Sequence, residues 1–284
     1  MHILKVLEGP TGVGKTALAI QWALESGTEI LSADSRQFYQ ELNIGVARPS
    51  VVELKTVPHH FIAFKSIHHP YSVSQFEMDA LTLLDTLFQR HNEVILVGGS
   101  GLYINALCYG IDDLPDPDPK LREELKLQLQ EKGISYLQQQ LKIVDPDFYQ
   151  EIDLCNSVRL RRALEVCFTT GKPYSSLRTH SKKHRPFEIQ RYALNRPKDI
   201  LQKRINQRVD IMMQDGLLEE AHNLLPYANL NALQTVGYRE LFSFFKGEIS
   251  YERAVEDIKT HSRRYAKRQL TWLRKQENLQ WIEA

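Results

Sequence analysis

The chain has 284 residues, enough for one sizeable core together with a smaller one. Its 42% hydrophobic and 25% charged content is that of an ordinary globular protein and excludes a disordered or fibrous chain; a formal net charge of +1 singles out no class of partner. Cys108, Cys155 and Cys167 are odd in number and show no C-x-x-C spacing, which excludes a disulfide framework or a thiolate zinc site and suits a reducing compartment.

The N-terminus shows no charged region followed by a cleavable apolar stretch, and no apolar run reaches membrane-spanning length. A cytoplasmic location is expected. The first apolar run, Ile3 to Leu7, is predicted to be a strand. It leads into Gly9-Pro10-Thr11-Gly12-Val13-Gly14-Lys15-Thr16, and an apolar-periodic run from Ala17 to Leu24 predicts a helix behind it. Strand, glycine-rich loop and helix, in that order, form the setting that a phosphate-binding loop of the pattern G-x-x-x-x-G-K-S/T requires. The glycines let successive backbone N–H groups turn onto one anion, and the helix start adds its positive dipole end. Lys15 supplies a point charge, and Thr16 an oxygen suited to magnesium. Binding of a di- or triphosphate is expected.

A second strand, Thr28 to Ala33, ends at Asp34-Ser35. Ligands of open α/β sheets lie beyond the carboxyl ends of the strands, so Asp34 is aimed at the same crevice as the loop, as a metal ligand, a proton acceptor or a cap. Asn43 to Pro49 reads as a loop with Arg48 available to an anion, whereas His59-His60 lacks carboxylates at metal-site spacing. Ser74 and Glu77 match a capping box ahead of a helix that packs through Phe76, Ala80, Leu84, Leu87 and Phe88. Val94 to Val97 is an apolar strand running into Gly98-Gly99-Ser100-Gly101. Glycine stands where a nucleotide hydrolase would place its magnesium-holding Asp, which counts against ordinary NTP hydrolysis. Either a ligand approaches the backbone there or the turn is tightly packed.

Asp112 to Pro119, with its three prolines, breaks the α/β pattern and marks a domain boundary. Beyond it, helices are predicted over Lys120 to Lys132, with Leu121, Leu125 and Leu129 on one stripe and Gly133 as the stop; from Ser135, capped with Gln138; and over Ser157 to Thr170, closed by Gly171 and Pro173. No strand signal returns before Ile189 to Leu194. The expected fold class is α/β: a P-loop NTPase-like parallel sheet core (residues 1–114 and 190–284) with an inserted all-helical domain (115–189) acting as a lid. Arg159, Arg161, Arg162, Lys172, Arg178, Lys182, Lys183, His184, Arg185 and Arg191 make this stretch basic, and carboxylates are scarce after Leu177. A basic run facing a phosphate loop favours a nucleic-acid backbone as partner. The helix Asp199 to Gln214 sets Arg204 and Arg208 on one face, with Arg208 a candidate for the phosphate pocket or for a surface ion pair. A long helix, Tyr251 to Arg274, ends in cations interleaved with Tyr265 and Trp272 and reads as a second nucleic-acid strip.

In order along the chain, Gly9 to Thr16, Ser32-Ala33-Asp34-Ser35-Arg36-Gln37, Ile44-Gly45-Val46-Ala47-Arg48-Pro49, Pro58-His59-His60, Gly98-Gly99-Ser100-Gly101-Leu102-Tyr103, Arg161-Arg162-Ala163-Leu164-Glu165-Val166, Thr235-Val236-Gly237-Tyr238 and Lys267 to Arg274 resemble the bacterial tRNA dimethylallyltransferases. The resemblance runs along essentially the whole chain. It implies transfer of a prenyl group from dimethylallyl diphosphate, with Mg2+, to the exocyclic amine of the adenine just 3′ of the tRNA anticodon, with the anticodon stem-loop as partner; a monomer that binds no membrane is expected. It implies that Gly9, Pro10, Thr11, Gly12, Val13, Gly14, Lys15 and Thr16 hold the diphosphate, that Thr16 also meets the metal, that Arg208 pairs with the diphosphate, and that Asp34 is the general base. It implies tRNA contacts at Asp34, Ser35, Arg36, Gln37, Ser100 and Arg122, at Val158, Arg159, Leu160, Arg161 and Arg162, at Thr235, Val236, Gly237, Tyr238, Arg239 and Glu240, and at Lys267, Arg268, Gln269, Leu270, Thr271, Trp272, Leu273 and Arg274. The chain departs from the family pattern at Ser100 and Val46, where Thr is usual, and at Arg48, where Lys is usual. A zinc finger of the kind many eukaryotic relatives carry is not expected here. The rival readings are a cytokinin-type adenylate prenyltransferase, a P-loop small-molecule kinase and a non-catalytic RNA-binding NTPase module.

Overall fold

The computed structural model describes residues 2–116, 118–179 and 181–284. Its core is a six-stranded, wholly parallel sheet in the order β3-β2-β4-β1-β5-β6. The strands are β1 (Ile3–Glu8), β2 (Ile30–Ala33), β3 (His59–His60), β4 (Glu93–Gly98), β5 (Glu188–Asn195) and β6 (Leu279–Glu283). Parallel strands covered on both faces need near-continuous apolar sequence, which is why β2 is buried throughout. The helices of this unit are α1 (Lys15–Ser26), α2 (Val51–Thr56), α3 (Val73–Leu87) and α4 (Gly101–Tyr109).

The chain leaves β1 toward the β2 side of the sheet and leaves β4 toward the β5 side. β1 and β4 are adjacent, so a switch-point crevice opens at their carboxyl ends. The glycine-rich loop follows β1, the Gly98–Gly101 turn follows β4, and Asp34 follows β2 on its far side.

Gly110–Lys183 folds as a separate compact unit, apart from the unit formed up to Tyr109 and from His184 to Ala284. It contains α5 (Pro119–Val144), interrupted at Gly133 by a left-handed φ of 76°, followed by α6 (Pro146–Glu151), α7 (Ser157–Thr170) and α8 (Tyr174–Leu177). Its core includes Leu125, Leu137, Leu141, Phe148, Leu160 and Leu164. Two buried carboxylates brace it. Asp145 accepts from the backbone of Phe148 and from both donors of Ser175, and Glu165 accepts from Arg122 and Arg162. After β5 the first unit continues with α9 (Lys198–Gln214), α10 (Leu217–Leu224), α11 (Tyr238–Phe245) and α12 (Tyr251–Leu273).

Several boundaries differ from those expected. The units divide at 110 and 183 rather than at 115 and 189. Residues 184–189 belong to the sheet unit because Arg185 bonds the carbonyls of Ala106 and Leu107 and the Glu77 carboxylate, and because Glu188 N–H donates to the His2 carbonyl. Of the three boundary prolines, Pro117 lies outside the described residues. The α3 capping box is Ser72 with Gln75, not Ser74 with Glu77; Glu77 lies within the helix and pairs with Arg185 at 2.6 Å. Gln138 caps nothing, since its amide donates to the Leu154 carbonyl.

A buried ion pair fastens β5 to the carboxyl end of β1. Arg191 donates to Glu8 at 2.7 Å and to the Tyr109 hydroxyl at 3.3 Å, and the side chains of Arg191 and Glu8 are 2% and 1% exposed. Burial pushes the Glu8 carboxyl up, and Arg191 opposes that shift. Removing one partner strands the other in the core. Arg191→Met is expected to cost ~3–5 kcal/mol of stability, and adding Glu8→Leu to recover most of it. Urea unfolding of the two variants checks this.

Candidate active site

The glycine-rich loop takes the shape its glycines permit, with Gly14 at φ 113° immediately before α1. The first N–H groups of α1 have no acceptor within the helix and are free to meet an anion. Lys15 Nζ folds back over the loop, donating to the carbonyls of Gly9 (2.9 Å) and Pro10 (3.0 Å). The outer edge of the loop is tied by side chains from the last third of the chain. Arg204 donates to the Gly12 carbonyl (2.9 Å), Arg196 donates to the Val13 carbonyl (2.8 Å), and Gln269 accepts from the Thr11 N–H (2.8 Å).

Beyond β2, Asp34 Oδ1 accepts from the Arg36 N–H at 3.0 Å, and its carbonyl accepts from the Gln37 N–H. This local turn holds the carboxylate in a fixed place. Ser100 pins the neighbouring residue, its hydroxyl accepting from the Ser35 N–H at 3.0 Å. The Gln37 amide donates to the carbonyls of Val46 and Ala47, and Arg36 donates to that of Asn231. The Gln37 bonds knit the Asp34 turn to the loop of residues 43–49, and the Arg36 bond ties it to the turn at Asn231. That loop is fixed from its other side by Glu220, which accepts from the N–H groups of Ile44 (2.8 Å) and Gly45 (3.0 Å) and from the Tyr238 hydroxyl (2.6 Å).

These elements enclose a cavity of about 1260 Å³. Lys15, Thr16, Asp34 and Arg208 all line it. Burial lowers the Lys15 ammonium to about 8; Arg208 pushes the same way, while Asp34 and Glu8 oppose. Arg208 is also lowered, chiefly by burial and further by Arg204, with Asp34 opposing. Tyr265 projects from α12 into the same space, and burial and then Asp34 raise its phenol to about 12. A second cavity of about 320 Å³ lies between the Gly98–Gly101 turn and α12, lined by Ser35, Ser100, Tyr103, Arg268 and Trp272.

Other expected site residues are committed elsewhere. Arg48 lines the cavity, but its Nη2 is drawn back onto the carbonyls of Tyr39, Gln40 and Leu42. Val46 is buried. Arg185 and Arg191, counted with the basic run, are locked in core ion pairs. Arg178 pairs with Glu151 and lies over the Phe148 ring. Arg122 and Arg162 both face Glu165. Leu160, Tyr238, Glu240, Gln269 and Leu273 are buried and can serve an interface only by holding their neighbours. Glu240, for instance, accepts from the Gly237 N–H and pairs with His261. Val158, Arg159, Arg239, Lys267, Arg268, Thr271, Trp272 and Arg274 are exposed. The Gly98–Gly101 turn is tightly packed: a Cβ on Gly98 would strike the Ala33 carbonyl, and one on Gly101 the Trp272 ring. Sequence reasoning missed Arg196 and Glu220. Arg196 carried a usable signal, because it immediately follows β5 at a strand's carboxyl end.

A parallel α/β sheet with a glycine-rich loop at its switch point, and a carboxylate and two cations lining one cavity there, defines a protein of the P-loop-like class. The family model for IPP transferase matches residues 37–276. The chain is 49% identical to the tRNA dimethylallyltransferase of Christiangramia forsetii over 97% of this chain and 91% of that one, and 47% identical to that of Flavobacterium johnsoniae over 100% and 94%. The crystal structure of the full-length tRNA isopentenylpyrophosphate transferase from Bacillus halodurans aligns with TM-score 0.72 at 34% identity, covering 100% of this chain and 90% of that one. A eukaryotic dimethylallyltransferase acting on tRNA aligns with TM-score 0.83 at 25% identity, covering 100% of this chain and 74% of that one. The chain belongs to the IPP transferase family.

Lys15 sets a pH signature. An anion beside it raises its pKa above the value of about 8 in the free protein, so binding takes up a proton between the two values. Affinity for an alkyl diphosphate, whose own phosphates are fully ionised there, is expected to be flat below pH 8 and to fall about tenfold per unit above it. Calorimetry across that range, in buffers of different ionisation enthalpy, measures both the fall and the proton.

Proposed function

We propose that this chain transfers the dimethylallyl group of dimethylallyl diphosphate to the exocyclic amine of the adenine 3′ to the anticodon of tRNA, releasing diphosphate. The observation that carries this is the single cavity in which Lys15 and Arg208 face Asp34. In the reaction, the allylic carbon–oxygen bond breaks and its electron pair leaves with the diphosphate. The loop N–H groups, Lys15 and Arg208 meet that charge as it develops, and one such donor is typically worth ~100- to 1000-fold in rate. The amine lone pair forms the new carbon–nitrogen bond. The proton it sheds passes to the Asp34 carboxylate, a step typically worth ~100- to 10,000-fold.

Among the described residues, no group of three or more His, Cys, Asp or Glu is placed to hold a metal. The Thr16 hydroxyl at the start of α1 fits magnesium arriving with the diphosphate, which binds through few protein oxygens and keeps its waters. When bound, the ion would supply further neutralisation of the departing diphosphate.

For tRNA, the exposed cations Arg239, Lys267, Arg268 and Arg274 suit an RNA backbone, and Trp272 at the second cavity suits a flanking base. The target adenine must leave its stack to reach Asp34, at a cost of a few kcal/mol that phosphate contacts offset. These cations and the relatives' names favour a tRNA acceptor over free adenylate. Gly98 at the end of β4, in place of an acid, disfavours a kinase. No described helix is long and apolar enough to cross a membrane. A cytoplasmic monomer fits this reading.

Incubating tRNA with dimethylallyl diphosphate and magnesium should yield a prenylated adenosine by nucleoside mass spectrometry; labelling of AMP in its place would reject the tRNA reading. Asp34→Asn is expected to slow single-turnover transfer ~100- to 10,000-fold with tRNA affinity within about twofold of the parent. Near-normal transfer would remove the base. Affinity for tRNA should fall steeply with salt, and neutralising Lys267, Arg268 and Arg274 together should lower the slope of log K against log salt by about 2.

A further inference from the structure

The buried face of α12's last turns carries one polar side chain. Lys267, Arg268, Thr271 and Trp272 are exposed, as is Arg274 just beyond the helix, whereas Gln269 is 8% exposed and lies with Ala266 and Leu273 on the buried face. Its carboxamide makes two bonds of opposite sense. Oε1 accepts from the Thr11 N–H at 2.8 Å, and Nε2 donates to the Gly99 carbonyl at 2.9 Å. A flipped amide would set donor against donor and acceptor against acceptor, so the orientation is fixed by the chemistry. One side chain thus bridges the loop after β1 to the turn after β4, across the crevice where the anion would sit. Gly99 is shaped to it, since a Cβ there would overlap Gln269 Nε2. The bond also occupies the Thr11 N–H, leaving the N–H groups at the start of α1 to meet a ligand.

We propose that Gln269 is a positioning residue for the transfer reaction: it locks the phosphate loop into its anion-binding shape before substrate arrives and makes that shape depend on the helix that presents the RNA-facing cations. The family resemblance assigns this whole stretch to tRNA contact, whereas the geometry points Gln269 at the other substrate. The inference rests on the proposed prenyl transfer for the identity of the ligand and on the two hydrogen bonds for the role. Without the carboxamide, the Thr11 N–H and the Gly99 carbonyl both lose a partner, and the loop must order itself at the moment of binding.

The test uses the full chain carrying Gln269→Met, which keeps the volume and removes both bonds, and separately Gly99→Ala, which displaces the carboxamide without altering α12. Dimethylallyl diphosphate affinity is read by calorimetry, KM for each substrate by steady-state transfer, and stability by thermal unfolding. The expected result is a Kd and KM for dimethylallyl diphosphate about tenfold to a hundredfold higher in each variant, with KM for tRNA within about twofold of the parent. The double variant should be no worse than the more impaired single one, because both remove the same bridge. Wild-type diphosphate affinity in Q269M, an equal loss for both substrates, or additive losses in the double variant would overturn the role. If the parent binds dimethylallyl diphosphate but prenylates no RNA, the functional reading fails while the Kd comparison still decides the role of Gln269. If the parent binds no diphosphate, the loop is not an anion cradle and the inference falls with it.

Discussion

The arrangement turns on partly buried positive charge gathered in one cavity and only partly offset by a carboxylate. Lys15 and Arg208 are drawn into one cavity with Arg204 close by, and Asp34 is the carboxylate that opposes both. Desolvated cations are costly, and the lowered pKa values of both groups record that cost. A multiply charged anion entering the cavity would relieve it, which is what the proposed diphosphate site requires. One acid among the cations adds an asymmetry. It opposes the shifts of Lys15 and Arg208, yet it lines the cavity from another strand end, where it can face the organic part of a substrate rather than its phosphates.

Holding cations against desolvation requires a stiff surround, and the chain supplies it from residues far apart in sequence. The loop is local in origin, a run of glycines between a strand and a helix. Its outer edge is closed by Arg196 after β5, Arg204 on α9 and Gln269 on α12. The opposite wall is closed by Glu220 on α10, which gathers two backbone N–H groups and a phenol. The N-terminal motif is thus held by side chains from the last third of the chain. Glu8 and Arg191 couple these regions from beneath by fastening the strand that precedes the loop to the strand that restarts the sheet.

Features governed by neighbours in sequence were legible before folding. The strand–loop–helix around Lys15 was one, and Asp34 at a strand end was another, because each follows from local periodicity and backbone chemistry. Features governed by burial were not. Arg185 and Arg191 look like any other cations in a basic run, and nothing local reveals that each meets a carboxylate far back in the chain. Arg48 seemed free for the same reason, although its own loop supplies three carbonyls to hold it. The cap of α3 was misplaced by two residues because Ser72 with Gln75 and Ser74 with Glu77 both fit the pattern, and only the partnership of Glu77 with Arg185 separates them. β6 was missed because a short, half-exposed edge strand carries little hydrophobic periodicity.

The two glycines after β4 bear on the kind of chemistry the crevice can support. In a phosphoryl-transfer enzyme an acid at this strand end holds the metal on the phosphates. Here Gly98 leaves no room for one, because even a Cβ would strike the Ala33 carbonyl, the residue just before Asp34. The close approach that forbids an acid on β4 is thus the same contact that brings the end of β2, and Asp34 with it, up to the cavity. With the carboxylate one strand over, the two tasks a nucleotide enzyme combines at one strand end fall to separate elements in the proposed reaction: the loop and its cations would attend to the leaving phosphate, and Asp34 would take the proton from the attacking amine.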